Sequence, residues 1–358
     1  MSVSYGEVRG LTPQIAPDTS WFVERVHEVG VTYKCPIIQV GYRIGETKYL
    51  FETANFDFVT ARPDATTIFR AASISKPVFG YIVMRLVDQG LIELDRPLYQ
   101  YTDGVVHERF RNAFPNDPVA NAQNEEWAKM ITARMALTHT AGISANWMRG
   151  RRPSNAKITL NNKPGTHYFY SGEGTEYLQR VVEHITGKTL NELAEKHVFV
   201  PLGMVYSSFD WREEYHITHA WGYNENNERG TIDDLRTTAN GNAANSLRTN
   251  AIDISLFLDA LMSGYGLSEE SFREFTTGIW HIGNGQHSAP GIRVNYNEGT
   301  DFGYMLSHSG SNPNFRAMFW LFPEKQTYLI YFTNSENGSE PMRQAIFNIF
   351  FPQFSGTE

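Results

Sequence analysis

Ser73-Ile74-Ser75-Lys76 places a hydroxyl and an amine three residues apart. On a helix, positions i and i+3 share a face. A serine hydroxyl is a weak nucleophile until a base takes its proton. A lysine on the same turn can be that base if burial and nearby cations lower its pKa towards neutrality. Val78, Ile82 and Leu86 recur at helical spacing, flanked by Phe79 and Val83, and Gly90 marks a stop. The pattern predicts a helix over Val78–Gln89, with Ser73 at or just before its N-terminus. There, backbone N–H groups and the helix dipole favour a developing oxyanion. This is the chemistry of acyl transfer through a serine ester. The same two residues also fit an N-cap serine with a solvated lysine in the first turn. A second copy, Ser154-Asn155-Ala156-Lys157, follows Arg151-Arg152-Pro153 with no apolar helical face after it, and reads as a solvated loop.

Three further stretches carry reactive side chains. Pro164-Gly165-Thr166-His167-Tyr168-Phe169-Tyr170-Ser171-Gly172 is a turn, an aromatic cluster and the start of a helix. A tyrosine phenol there can pass a proton to a leaving group if positive charge lies near; packing explains the aromatics equally well. Leu306-Ser307-His308-Ser309-Gly310-Ser311-Asn312 is a small-residue run that lets backbone approach a ligand. The Ser311 N–H can join that of Ser73 in an oxyanion hole. His308 can bind an anion or donate a hydrogen bond, with a charge set by pH near neutrality. In Leu137-Thr138-His139-Thr140-Ala141-Gly142-Ile143, the histidine has small, apolar neighbours and reads as a structural residue tying down a loop. His216 and His219 have ligand-like spacing but no third ligand in a matching motif, so no metal is expected.

The elements that must position these groups follow from patterning. Thr19-Ser20 caps a helix that ends near Gly30. Ile37–Tyr42 and Lys48–Thr53 form a hairpin across Ile44-Gly45-Glu46-Thr47. The middle of the chain reads as helical, with segments at Glu125–Leu137, Glu173–Ile185, Leu190–Val198 and Ala251–Met262. Strands return at Phe315–Phe322 and Thr327–Thr333, and Glu340–Phe351 reads as a terminal helix. Strands at both chain ends predict a split α+β domain: an antiparallel sheet flanked by helices, plus a mostly helical lobe. The expected division is residues 1–93 and 285–358 against 94–284, with the site in the cleft between them.

Composition narrows the function. The 358 residues carry a formal net charge of −8, which argues against nucleic-acid binding. One cysteine, Cys35, excludes an internal disulfide and reads as core packing. No apolar run reaches membrane-spanning length. The N-terminus shows neither a basic nor an apolar signal region. It predicts a cytoplasmic protein, or a periplasmic or secreted one if the sequence is a trimmed mature form.

Taken in order, Ser73-Ile74-Ser75-Lys76, Tyr170-Ser171-Gly172 and His308-Ser309-Gly310 resemble the pattern of the serine β-lactamase and penicillin-binding-protein-like superfamily. The chain is most similar to its class C branch, which includes esterases and D-aminopeptidases. Leu137–Gly142, Pro201-Leu202-Gly203-Met204 and Asn334 also look like family landmarks. The resemblance implies Ser73 as nucleophile, Lys76 as its activating amine and Tyr170 as the proton-transfer partner. It further implies the Ser73 and Ser311 amides as oxyanion hole, and Gly172, His308, Ser309 and Gly310 at the substrate. Which of Lys76 and Tyr170 takes the serine proton stays open. Ser144-Ala145-Asn146 resembles the Ser-x-Asn motif of the class A branch, but the far-downstream His308 motif and the aromatic context favour Tyr170.

Two departures shape the expected substrate. Gly172 replaces an Asn that would contact an acylamido group, a loss of about 0.5–1.5 kcal/mol. His308 replaces a Lys that would hold a substrate carboxylate, a loss on the order of 1.5–3 kcal/mol. The resemblance therefore predicts a serine hydrolase without cofactor, acting on carboxylic esters or small amides. A D-amino-acid peptidase or weak β-lactamase is the alternative, and a penicillin-binding sensor that acylates without turnover is a third.

Overall fold

A computed structural model describes residues 19–55, 57, 63–114, 116–143, 157–231, 241–296 and 302–352. Helix α1 (Ser20–Thr32) leads into the hairpin β1 (Ile37–Ile44) and β2 (Thr47–Ala54). A short pair, β3 (Phe69–Arg70) and β4 (Arg248–Thr249), brackets the middle of the chain. Between them lie α2 (Ser75–Asp88), α3 (Pro118–Ala128), α4 (Ala133–Leu137), α5 (Gly172–Thr186) and α6 (Leu190–Ala194). Helices α7 (Ala251–Ser263) and α8 (Glu269–Thr276) precede six strands. These are β5 (Trp280–Gly283), β6 (Gln286–Ala289), β7 (Ile292–Tyr296), β8 (Tyr304–Asn312), β9 (Phe315–Phe322) and β10 (Thr327–Thr333). Helix α9 (Met342–Phe350) follows them.

Eight strands form one sheet in the order β2-β1-β10-β9-β8-β7-β6-β5, every neighbour antiparallel. Side chains alternate across a strand, so each strand feeds both faces. Met318, Trp320 and Phe322 of β9 pack with Val26 of α1 and Ile346 of α9 in one core. Ala317, Phe319 and Leu321 join the other core, with Val78 and Ile82 of α2 and Leu258 of α7. Both faces are apolar, which is why β9 alternates only loosely in sequence. Gly41 of β1 marks the contact with α7: a Cβ there would sit 2.5 Å from Ser255 Oγ.

Helix α2 is buried from Ser75 to Met84 without a break. A helix buried on every side belongs to the centre of a domain. The helix starts at Ser75, three residues before the predicted start, and a 3₁₀ turn over Ala72–Ile74 precedes it. The predicted segment Glu125–Leu137 is two helices: Asp117 caps α3 and Thr132 caps α4 through their side chains. The meander β5–β7 has no counterpart in the sequence reading. Its polar, histidine-bearing strands lack a simple apolar alternation, and pairing rather than propensity holds them extended.

Candidate active site

Ser73 lies in the middle of the Ala72–Ile74 turn and is half-buried. Ala72, just before it, is fully buried with φ +50°. The left-handed region costs a non-glycine residue about 1–2 kcal/mol, so surrounding contacts must enforce it. They do. Ala71 N–H donates to Leu247 O at 2.8 Å. Ser75 Oγ donates to Ala72 O at 2.6 Å and accepts from Leu247 N at 3.0 Å. On the opposite side, β8 closes in. It pairs with β9 over Leu306–Asn312 but with β7 only over Tyr304–Ser307, which leaves its His308–Asn312 edge uncovered by β7. A Cβ on Gly310 would lie 2.2 Å from Ala71 O, so this edge abuts the Ser73 turn. Ser311, the next residue, is exposed.

Lys76 is 2% exposed, and its long side chain ends between three groups. Nζ donates to Ala244 O at 2.7 Å and to Ser73 Oγ at 3.2 Å. It stands over the Tyr170 ring, 4.8 Å from the centroid, an attractive position for a cation. Tyr170 comes from the approach to α5, whose N-cap, Ser171, accepts from Gly174 N. His139 packs on the other side of that approach. Its ring centroid is 4.3 Å from that of Tyr170, and its Nδ1 accepts from Ser171 N at 3.2 Å. Its own carbonyl accepts from Phe169 N at 2.8 Å. Burial, with the charges of Lys76 and Arg293, pushes the His139 imidazole down to about 3. A neutral ring whose Nδ1 accepts a backbone N–H is a structural group that holds Tyr170 in place.

His308 is also buried, with its ring centroid 6.4 Å from that of Tyr170. Its Nδ1 donates to Ser309 O at 2.8 Å. Burial, then Arg293 and Lys76, hold it well below the usual histidine range. Against the expectation of a charge that changes near neutrality, burial beside Arg293 and Lys76 disfavours the protonated ring. Arg293, which faces Ser307 across the β7–β8 ladder and hydrogen-bonds Tyr168, is a permanent cation that the sequence reading did not single out. Gly172 begins α5 and is buried without a side chain to offer.

The family model for beta-lactamase matches residues 56–351. The chain belongs to the beta-lactamase family. It is 31% identical over 156 residues to a lovastatin esterase of Penicillium rubens, a match covering 38% of each chain. It is 23% identical over 324 residues to penicillin-binding protein 4* of Bacillus subtilis, covering 83% of this chain and 67% of that one. The chain thus spans little more than a third of the esterase's length. A solved class C beta-lactamase superposes with a TM-score of 0.75 at 17% identity, over 97% of this chain and 100% of the other. The fold is therefore that of the beta-lactamase family, with its antiparallel sheet and flanking helices.

The structure brings Ser73, Lys76, Tyr170 and His308 to one place, with Gly310 against the Ser73 turn and Ser311 next to it in β8. Ser144-Ala145-Asn146 and Ser154–Ala156 lie outside the described residues. Lys157 is exposed, and its Nζ donates to Glu108 O, away from Ser73. Asn334 is buried, and its side chain ties Ile37 N to Trp221 O, a scaffold role. Among the described residues, no group of three or more His, Cys, Asp or Glu could hold a metal ion, and no helix is long and apolar enough to cross a membrane. Ala244, which meets Lys76 through a backbone carbonyl, carried no sequence signal, because a carbonyl is common to every residue.

Proposed function

We propose that this beta-lactamase-family protein is a serine hydrolase that works through an acyl-enzyme on Ser73, on carboxylic esters or small amides. The observation that supports it is the seat of the Lys76 amine nitrogen, between Ser73 Oγ and the face of Tyr170. In the acylation step Ser73 Oγ bonds to the substrate carbonyl carbon, the carbonyl π pair moves onto oxygen, and the serine proton passes to the unprotonated member of the Lys76–Tyr170 pair. The same pair returns a proton to the departing alcohol or amine as the carbon–heteroatom bond breaks. The Ser73 and Ser311 amides are assigned to the oxyanion. Water then cleaves the ester and restores the hydroxyl.

Neutral His308 and side-chain-free Gly172 disfavour a substrate that needs a lysine cation and an asparagine amide. Similarity to a lovastatin esterase supports the ester over the lactam. Intact-mass spectrometry after mixing with p-nitrophenyl acetate, a D-alanyl amide and a chromogenic cephalosporin tests the reading. A transient acetyl adduct, absent in Ser73→Ala, is expected. Undiminished ester turnover by Ser73→Ala refutes the nucleophile. A permanent cephalosporin adduct without ester turnover identifies a penicillin-binding sensor instead.

A further inference from the structure

The lysine has four rotatable side-chain bonds and two hydrogen-bond acceptors, Ser73 Oγ and Ala244 O. The serine is the reacting group, so the Ala244 carbonyl is the fixed one. What fixes it is a polar bracket. Asn242 Oδ1 accepts from Ala244 N at 2.8 Å, and Asn242 Nδ2 donates to Glu176 Oε1 at 2.6 Å. Gln179 Oε1 accepts from Ala243 N at 2.8 Å, and Gln179 Nε2 donates to Gly241 O at 2.9 Å. Asn242 N donates to Ser246 Oγ at 2.7 Å, which closes the loop on itself.

Glu176 and Gln179 both lie on α5, the helix that begins two residues after Tyr170. One rigid element therefore sets the phenol directly and the amine at one remove, through the loop. We infer that Asn242 and Gln179 are positioning residues for Lys76, acting through the backbone of Ala243 and Ala244. The inference rests on the proposed role of Lys76. It gives α5 a task the sequence did not suggest: holding the two proton-transfer groups in register. Gly172 has no side chain with which to share that task, so the bracket carries it.

The outer side of the bracket borders a cavity of about 490 Å³ lined by Glu176, Gln179, Glu183, Asp210, Gly241 and Asn242. A truncation here opens onto space that water can enter rather than leaving a dry void, so the variants are expected to fold. The test measures the single-turnover rate of Ser73 acetylation by p-nitrophenyl acetate and the apparent substrate affinity. Wild type is compared with Asn242→Ala, Asn242→Ser and Gln179→Leu. A misplacement near 1 Å costs about 10²-fold in rate, so Asn242→Ala and Gln179→Leu are each expected to slow acetylation by about 10- to 100-fold at unchanged affinity. Asn242→Ser should recover most of the loss, because a hydroxyl can accept the same N–H two residues on. If one truncated variant does not fold, the other decides.

Wild-type acetylation rates in the truncated variants overturn the inference. So does an Asn242→Ser variant as slow as Asn242→Ala, or a loss that falls on affinity alone. Failure of the underlying enzyme reading looks different: Ser73→Ala then turns over like the wild type.

Discussion

Gly310→Ala is the sharpest perturbation the structure offers. The added Cβ would stand 2.2 Å from Ala71 O, a backbone atom that cannot rotate away. Ordinary contact begins at 3.4 Å, so β8 and the Ser73 turn must part by about 1 Å. Two consequences follow, of different size. Overpacking at a buried contact costs about 1–3 kcal/mol of stability. Alanine's narrower unfolded ensemble returns about 0.4–1 kcal/mol of that. The net loss is thus modest, on the order of 1–2 kcal/mol, and the protein should still fold. The rate should suffer more. Ser311 lies next to Gly310, and moving its amide 1 Å from the Ser73 side of the proposed oxyanion hole should slow acylation about 10²-fold. The assay is single-turnover acetylation of Ser73 beside a urea denaturation curve. A variant with wild-type acylation, or one whose rate falls only in proportion to the unfolded fraction, would refute the claim that this contact sets the site.

Tyr170→Phe should lower kcat by about 10²–10⁴-fold with little change in KM, measured on p-nitrophenyl acetate; a wild-type kcat would remove the phenol from proton transfer. KM for an anionic ester should show no inflection near pH 6.5, the ordinary histidine value, because burial and nearby cationic groups hold His308 well below it; a rise in KM through pH 6.5 would show that it carries charge there. Thermal stability should fall on acidification. His139, His219 and His308 are buried and depressed, so only the unfolded chain takes up their protons below about pH 6.5. Each removes up to about 1.4 kcal/mol per pH unit. Asp253, whose carboxyl burial raises to about 6, opposes this between about pH 4 and 6 but is outnumbered. A melting temperature that rises from pH 7 to pH 5 would contradict the sign. Asn334→Ala should cost about 2–4 kcal/mol in urea denaturation, because it strands the buried Ile37 N–H and Trp221 carbonyl; an unchanged midpoint would mean that water replaces the amide.

The sequence by itself determined the local pieces. The Ser-x-x-Lys spacing, the apolar stripe behind it, the hairpin across Gly45 and the apolar strands Phe315–Phe322 and Thr327–Thr333 were legible, because turn chemistry and hydrophobic period act over a few residues. The order of the motifs carried the family resemblance, and with it the fold. Tertiary structure decided everything that depends on contact at long range. Strand β8 is extended although its Ser/Gly-rich run has little strand propensity, since its ladder to β9 holds it. Burial together with Arg293 and Lys76 disfavours a charge on His308, which its neighbours in sequence do not reveal. Lys76 finds Ala244 O from 168 residues away. Backbone carbonyls have no sequence signature, and desolvation depends on what the rest of the chain packs around a group. Those two terms, direction and burial, are what folding added to residue types already in view.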